Sequence, residues 1–464
     1  MRLLKPLFLL FFLTSLSLEL FSQNSSVSPD ALKIESIQIL GTNKTKEAVI
    51  WNLMELSPGD WTDYAKIRRD EESLRNSGYF RSVEIKALPG NHKGTLILEV
   101  LIKEKNYPTP DLGVNYGDEG WESYVGLNAD NFFGYGNQIR SSYIFYGQKR
   151  DGLDLRITAP NVWGKAGYFG MNIYDYNEKI HFQVEDSLYL QKIDRDGFEV
   201  FIGRQSQRKS KYFFMFQAEY VEPDTLIDGS EDVNDEVNLD YFEGRVKSSI
   251  LNEIREDGKL QKNIAIGLTL LQDERNSRIF PTEGYRLKGN ITVSSEFLGS
   301  NFDYVRMFFD TRFYQKFYKN NTFAFRGSGG WINEDSPFFK KFYLDGINYV
   351  RGFPNGGIAP ISGGSKFLLF NSEVRLPLPF GKFPKHWVTL IGFFDAGKIT
   401  RDVEEFEELG LTAGYGFGTR IWIPFLEEII AVDVGFPIND KIRSEEETTK
   451  ISKASITFSL GFKF

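Results

Sequence analysis

The sequence lacks cysteine altogether and has only three histidines among its 464 residues. The absence of cysteine excludes disulfide bonds and thiolate metal sites. The histidines (His92, His181 and His386) are scattered, and no nucleophile is paired with a base, so we expect no enzyme, no cofactor and no metal site. The acidic stretches 222–240 and 402–408 are expected to be solvated outer loops, with metal binding as the less favoured alternative.

Long apolar runs are also missing after the N-terminal segment, so no transmembrane helix is expected there. In that segment, Arg2 and Lys5 precede an apolar run that ends near Phe21, and polar residues follow. This order is typical of a secretory signal, whereas an uncleaved anchor is disfavoured because the run is short for a membrane span. We therefore expect residues 1–23 to be a signal peptide.

Aromatic residues, in contrast, are abundant: the chain has 42 Phe, 22 Tyr and 7 Trp. The formal net charge of -8 disfavours a nucleic-acid partner, which would need a broad basic surface. An exported, aromatic-rich chain without membrane helices is either a large water-soluble β protein or an outer-membrane barrel. In a barrel every backbone group is paired between strands and no edge remains open.

Residues 34–105 differ in pattern from the rest of the chain. A short alternating strand is followed by two helical segments and then by two strands. Thr45 and Thr62 are predicted to cap the two helices. This order predicts a small α/β domain that precedes the remainder.

From Asp111 onward, apolar residues alternate with a period of two, which is typical of strands. A soluble sandwich also alternates, but it rarely ends on an aromatic residue, as this chain does at Phe464. We predict about sixteen strands, an even number as in single-chain bacterial barrels, and an amphipathic helix at 241–257 within a long loop. The strands are expected near 111–117, 121–131, 137–147, 152–159, 165–177, 195–205, 210–221, 260–273, 284–296, 302–317, 321–331, 366–377, 387–397, 411–423, 429–437 and 451–464.

Several stretches match the motifs of one protein family. They are "LRNSGYFRSVEI", "NADNFFGYGNQI", "ITAPNVWG", "DERNSRIFPTEGYRL", "VRGF" and "FFDAG". On these motifs the mature chain resembles the BamA/TamA-type outer-membrane assembly proteins, also called the bacterial surface antigen family. The resemblance implies a transmembrane β-barrel of about 16 antiparallel strands at 111–464 in the bacterial outer membrane. It also implies one small N-terminal α/β POTRA-like periplasmic domain at 34–105.

The resemblance further implies a function without a catalytic site. Members assist the insertion, assembly or translocation of client polypeptides, so the implied partners are outer-membrane lipids, unfolded clients and accessory assembly proteins. The POTRA-like domain would offer the edge of its strand at Phe80 to Ala87 to a client, although a domain without a binding role is the alternative. The apolar face that ends the chain, with Leu460, Phe462 and Phe464, resembles the signal that assembly machinery recognises.

Two departures from the family leave other functions open. The sequence has one POTRA-like domain, where the assembly proteins carry several, and it shows no plug helix of the kind found in two-partner secretion translocators. A secretion translocator and a passive pore or surface protein that kept the family barrel are therefore the alternatives.

The family places the motif Arg351, Gly352, Phe353 on a loop of about 332–365 that folds into the barrel lumen. Loops of this length without regular structure are uncommon and usually functional. Alternation points Asp395 and Asp433 inward, so we predict that Arg351 pairs with Asp395, with Asp433 as the second candidate, whereas an ordinary loop arginine would face solvent. We call these five residues the loop lock. Between the two acids we predict an inward glycine track of Gly414, Gly416 and Gly418.

Overall fold

The computed structural model divides the chain into two compact units, one ending at Lys105 and the other beginning at Asn106. The predicted signal peptide at 1–23, the predicted helix at 241–257 and the terminal Phe462 and Phe464 lie outside the described residues. The described residues are 32–117, 120–145, 150–160, 162–163, 166–184, 187–205, 210–228, 260–277, 279–318, 320–344, 349–353, 358, 360, 363–379, 387–402, 406, 410–423, 428–438 and 454–460.

The N-terminal unit is a four-stranded sheet with two helices. Its elements are β1 (Leu32–Leu40), α1 (Glu47–Leu53), β2 (Trp61–Thr62), α2 (Tyr64–Asn76), β3 (Phe80–Pro89) and β4 (Thr95–Glu104). The strand order is β2-β1-β4-β3, so β3 lies at an edge of the sheet. The strand β2 is too short for any alternation to reveal it in the sequence. No helix in the described part of the chain is long and apolar enough to span a membrane.

An apolar core between the helices and the sheet holds this unit together. Ile50 of α1, Leu74 of α2 and Leu98 of β4 are fully buried in it, and each such side chain stabilises the fold by roughly 1.5–3 kcal/mol. The predicted caps are wrong by one residue. Asp63, not Thr62, caps α2, because its carboxylate accepts the backbone N–H of Lys66 at 2.9 Å.

The residue before α1 is Lys46, which makes no side-chain capping bond, so the predicted cap at Thr45 is also wrong. Instead, the backbone N–H groups of Lys44 and Thr45 donate to the Glu104 carboxylate of β4. This long-range contact satisfies donors ahead of the helix that a local cap would otherwise satisfy. Sequence spacing alone does not reveal it.

Two carboxylates of this unit have pKa values that are shifted in opposite directions. Hydrogen bonds from the Asn91 and Thr95 side chains lower the pKa of Glu35 to about 2. Burial raises the pKa of Asp70 to about 6, although its carboxylate accepts the backbone N–H groups of Glu55 and Leu56. Glu35 is therefore ionised in the folded unit across most of the acid range, whereas Asp70 takes up a proton as the pH falls through about 6.

The second unit is a closed barrel of sixteen antiparallel strands, so the predicted fold class is confirmed. Each strand pairs with its neighbours in the chain, and the last pairs with the first. The strands are β5 (Thr109–Gly117), β6 (Gly120–Phe132), β7 (Asn137–Phe145), β8 (Arg150–Pro160), β9 (Gly167–Val184), β10 (Ser187–Gln205), β11 (Ser210–Asp228), β12 (Gln261–Asp273), β13 (Gly284–Ser294), β14 (Tyr304–Lys316), β15 (Thr322–Ile332), β16 (Lys366–Pro377), β17 (Val388–Thr400), β18 (Thr412–Ile423), β19 (Glu428–Pro437) and β20 (Ser455–Leu460).

Alternation along the strands separates an apolar outer face from a polar inner face. On β18, Tyr415 and Phe417 are 52% and 60% exposed. On β20, Ile456 is exposed, whereas its neighbours Ser455 and Thr457 are buried. An exposed apolar face of this kind suits lipid, and the polar face lines the lumen.

Three strands, β9, β10 and β11, are longer than the sequence predicts, with 18, 19 and 19 residues. The prediction ends β11 at residue 221, yet its pairing with β10 continues to Asp228. A strand needs only about 9–11 residues to cross the hydrocarbon layer. The predicted strands stop near this length, whereas the backbone ladder continues past it.

The barrel closes where β20 meets β5, which we call the seam. Two residue pairs are in register across it, Phe458 with Tyr116 and Ser459 with Asn115. On its other side β20 makes six registered pairs with β19. Within the described residues, the seam is therefore the least extensively hydrogen-bonded junction of the barrel.

Candidate functional site

The site lies in the loop between β15 and β16, at the loop tip Tyr349–Phe353. The tip lies against the inner wall formed by β16 to β19. Arg351 is 4% exposed, and Val350 and Phe353 are buried in an apolar cluster with Leu369 of β16. Arg351 is thus buried and is not an ordinary loop arginine that faces solvent.

Arg351 binds Asp395 of β17 through three hydrogen bonds. Its Nε and Nη2 donate to Oδ2 and Oδ1 at 2.7 and 2.9 Å, and its backbone N–H donates to Oδ2 at 3.1 Å. Asp395 is fully buried. The guanidinium also lies 3.7 Å from the ring centroid of Phe393. A bidentate contact, a main-chain bond and a ring face together restrict Arg351 to one orientation.

Three further strands contribute charged groups around this pair. Arg351 Nη1 donates to Glu373 Oε1 of β16 at 2.7 Å and lies 3.6 Å from Asp433 of β19. Arg420 of β18 binds Asp433 bidentately at 2.7 and 3.0 Å. All these charged groups are buried, so each depends on its partners for compensation.

Glu373 and Arg420 are functional-site residues that the loop-lock prediction omits. Arg375 binds the second oxygen of Glu373 at 2.9 Å, so Glu373 connects two strand arginines with the loop arginine. The alternation of β16 contains the signal for Glu373, because Phe370 and Val374 are exposed outward and Glu373 has the opposite parity.

The predicted glycine track lies directly beneath the loop tip. A Cβ at Gly414 would lie 2.2 Å from the carbonyl oxygen of Arg351. At Gly416 it would lie 2.5 Å from the Phe393 ring, and at Gly418 1.9 Å from Asp433. The track therefore leaves room for the loop backbone, for the ring beneath the guanidinium and for one of the acids.

A fourth and a fifth glycine complete the contact. Gly352 has φ +102°, a conformation that side-chain-bearing residues rarely adopt, and this turn presents Arg351 to the wall. A Cβ at Gly435 of β19 would lie 2.5 Å from the Gly352 nitrogen. The site is thus a close backbone contact surrounded by charge pairs.

The structure brings together the predicted Arg351, Gly352, Phe353, Asp395 and Asp433. Of the predicted C-terminal signal, Leu460 lies in register with Ile430 on β20, and the rest falls outside the described residues. Among the described residues, no group of three His, Cys, Asp or Glu is arranged to hold a metal ion.

Comparisons with known proteins match both units. Residues 131–464 match the Omp85 superfamily domain, and residues 32–105 match POTRA, the surface antigen variable number repeat. The outer membrane protein assembly factor BamA of Nitratidesulfovibrio vulgaris is 24% identical over 385 residues, which cover 78% of this chain and 43% of that protein. BamA of Neisseria meningitidis is 23% identical over 79% of this chain and 46% of that protein. The chain thus spans less than half the length of these curated relatives.

Solved structures share the fold. BamA from Haemophilus ducreyi lacking POTRA domains 1-3 has a TM-score of 0.59 and 17% identity, covering 92% of this chain and 84% of that one. CdiB from Escherichia coli has a TM-score of 0.59 and 12% identity, covering 93% and 76%. The family match over most of the chain, together with the barrel and the POTRA fold, also places the barrel in the outer membrane and the POTRA domain in the periplasm. The chain belongs to the Omp85 superfamily, as a BamA/TamA-type outer-membrane barrel with a periplasmic POTRA domain.

Proposed function

We propose that this protein assists the insertion of client β-barrel polypeptides into the outer membrane. The observation that carries the proposal is the seam, where two registered pairs join β20 to β5 within the described residues. A junction with few hydrogen bonds costs little to open, and its two opened edges would pair with the strands of a client. The curated relatives are named outer membrane protein assembly factors, which agrees with this function and not with an enzyme.

The POTRA domain supplies a second edge. On one side β3 pairs with β4, and no further strand of the described sheet lies beyond it. An unfolded client entering from the periplasm would add a strand to this edge through main-chain hydrogen bonds. Client strand formation, not a bound nucleotide, would then drive insertion at the seam.

The proposal is tested by a folding assay in liposomes of outer-membrane lipids. A urea-unfolded small barrel protein is added, and its folded fraction is followed by heat-modifiable gel mobility. We expect several-fold faster folding than in liposomes that carry an unrelated barrel at equal protein content, which controls for membrane defects. Equal rates for a panel of barrel clients would overturn the insertase function. Passage of a secreted polypeptide without client folding would instead identify a translocator.

A deletion variant separates the two edges. Without residues 34–105 the barrel should still fold, because the POTRA domain is a separate compact unit with its own core. We expect the variant to reach the membrane but to lose client folding. Full activity of the deletion variant would exclude capture at β3.

A further inference from the structure

Near its start, the loop of the site forms a 3₁₀ turn, Phe338–Lys340, that contacts a different part of the inner wall from the loop lock. Lys340 forms a buried ion pair with Glu219 of β11. Glu219 also accepts hydrogen bonds from Tyr174 Oη at 2.8 Å and Asn263 Nδ2 at 2.9 Å. Its side chain is 1% exposed. Arg195 Nη2 of β10 lies 3.6 Å from the same carboxylate. Removing the Lys340 cation would therefore leave this buried carboxylate with one cation instead of two.

Apolar contacts hold the same turn. Phe338 and Phe339 are buried in a cluster with Ile180 of β9, Ile193 of β10 and Val221 of β11. Their two rings meet edge to face at a centroid distance of 5.6 Å. Burial of two phenylalanines makes this a packed contact and not a surface ion pair alone.

A third contact fixes the main chain after the turn. Arg306 of β14 donates from Nε to the carbonyl oxygen of Lys340 at 3.1 Å. The same guanidinium lies 4.3 Å from the ring centroid of Phe342. A charged donor on a carbonyl is a strong hydrogen bond, so the turn is tied to the wall by backbone as well as side chains.

We propose that Phe338, Phe339 and Lys340 with Glu219 form a second lock that holds the first half of the loop independently of Arg351. The charged contacts of the two locks share no residue: one uses β11 and β14, the other β16 to β19. The loop is therefore a strap fixed to different parts of the wall at two places, near its start and at its tip. Lys340 and Glu219 are positioning residues, since they act on the loop and not on a client.

The strap has a consequence for the seam, and this consequence rests on the proposed function. In the ring of strands, β15 alone separates β14 of the second lock from β16 of the loop lock, and on the other side the arc that contains β20 and β5 lies between β19 and β11. Neither lock has a charged contact on β20 or β5 among the pairs described above. Opening of the seam can therefore proceed while the strap holds the rest of the wall.

The second lock is tested without any client, in the full chain refolded in lipid. The chain has no cysteine, so one cysteine reports on one place. Ser336→Cys reports on the second lock and Val350→Cys on the loop lock, since both residues are buried at 2% and 0% exposure. The measurement is the rate of reaction with a charged maleimide, which follows the population of the locally open state.

We expect Lys340→Ala to raise the rate at Ser336→Cys by about tenfold or more and the rate at Val350→Cys by less than about twofold. Arg351→Ala should give the opposite pattern. Lys340→Arg should restore protection because it keeps the cation, and Lys316→Ala, which removes another lysine ion pair of the barrel, should change neither rate.

Equal increases at both reporters would mean one cooperative lock, and no increase at Ser336→Cys would mean that Lys340 holds nothing. Either result overturns the proposal. If Lys340→Ala does not fold, Glu219→Gln keeps the side-chain shape and must give the same selective increase. Because labelling needs no client, failure of the insertion assay leaves this test intact.

Discussion

Breaking the pair between Arg351 and Asp395 should release the loop tip. Asp395 is fully buried and receives three hydrogen bonds from Arg351. Removing one partner of a buried ion pair costs about 3–5 kcal/mol, and an exposed pair contributes about 0–1 kcal/mol. Since a barrel lumen is polar and partly hydrated, we expect a cost on the order of 1–4 kcal/mol for Arg351→Ala or Asp395→Ala.

The two single variants should not be equivalent. After Asp395→Ala, Arg351 keeps Glu373 as a partner at 2.7 Å. After Arg351→Ala, Asp395 keeps only the backbone N–H of residue 351 among the contacts described here. Arg351→Ala should therefore cost more, and the double variant should be little worse than Arg351→Ala alone.

The assay is a double-mutant cycle on protease cleavage of the loop, supported by heat-modifiable gel mobility. A cost of 1–4 kcal/mol corresponds to roughly 5- to 1,000-fold faster cleavage, at 1.4 kcal/mol per tenfold. Arg351→Lys should rescue poorly because the planar fork is lost. Lys316→Ala, which removes a partly exposed pair with Glu283, is the control and should have little effect. Fully additive single effects would refute the pairing energetics.

Three further predictions concern other parts of the chain. Gly414→Ala should expel the loop tip and speed its cleavage, because the added Cβ would lie 2.2 Å from a loop carbonyl oxygen. Gly392→Ala is the control and should not speed cleavage, since nothing lies within 4 Å of its Cβ position. Equal cleavage of the two variants would contradict the close contact at Gly414. Glu35→Gln should reduce the stability of the POTRA domain at pH 7 in thermal unfolding. The folded-state pKa of Glu35 is lowered from 4.5 to about 2, so its contribution is present above about pH 4.5 and is lost as pH falls toward 2. The difference in unfolding temperature between the variant and the wild type should therefore vanish near pH 2. A difference that does not depend on pH would argue against this role of Glu35, and so would an equal effect of the exposed control Glu84→Gln. Deleting Phe464 should slow the protein's own arrival in the outer membrane in cells, and unchanged rate and heat resistance would exclude a terminal signal.

Much of the fold and part of the site are readable from the sequence, because membrane strands need one apolar face. On β17, Leu390 and Phe394 face outward and are exposed, which fixes the inward parity of Asp395. The same parity on β16 points Glu373 inward, so this residue is predictable once the rule is applied to every strand of the wall.

Other features leave no periodic signal. Lys340 and Glu219 are 121 positions apart, and only the path of the folded loop brings them together. β9 to β11 extend past the length that crossing a membrane requires, so the sequence prediction stops before the backbone ladder does. The Glu104 contact ahead of α1 is likewise a tertiary contact that replaces a local cap.

The most direct test of the proposed function is a disulfide across the seam. Asn115 and Ser459 are register partners, and opposite residues of an antiparallel pair are about 4.5–5.5 Å apart between Cα atoms, which a disulfide can span. Because the chain has no other cysteine, Asn115→Cys with Ser459→Cys forms one defined bond. We predict that client folding in liposomes falls to the rate of the unrelated-barrel control when the bond is oxidised and recovers when it is reduced. Undiminished client folding with the seam fully oxidised would contradict insertion through the seam.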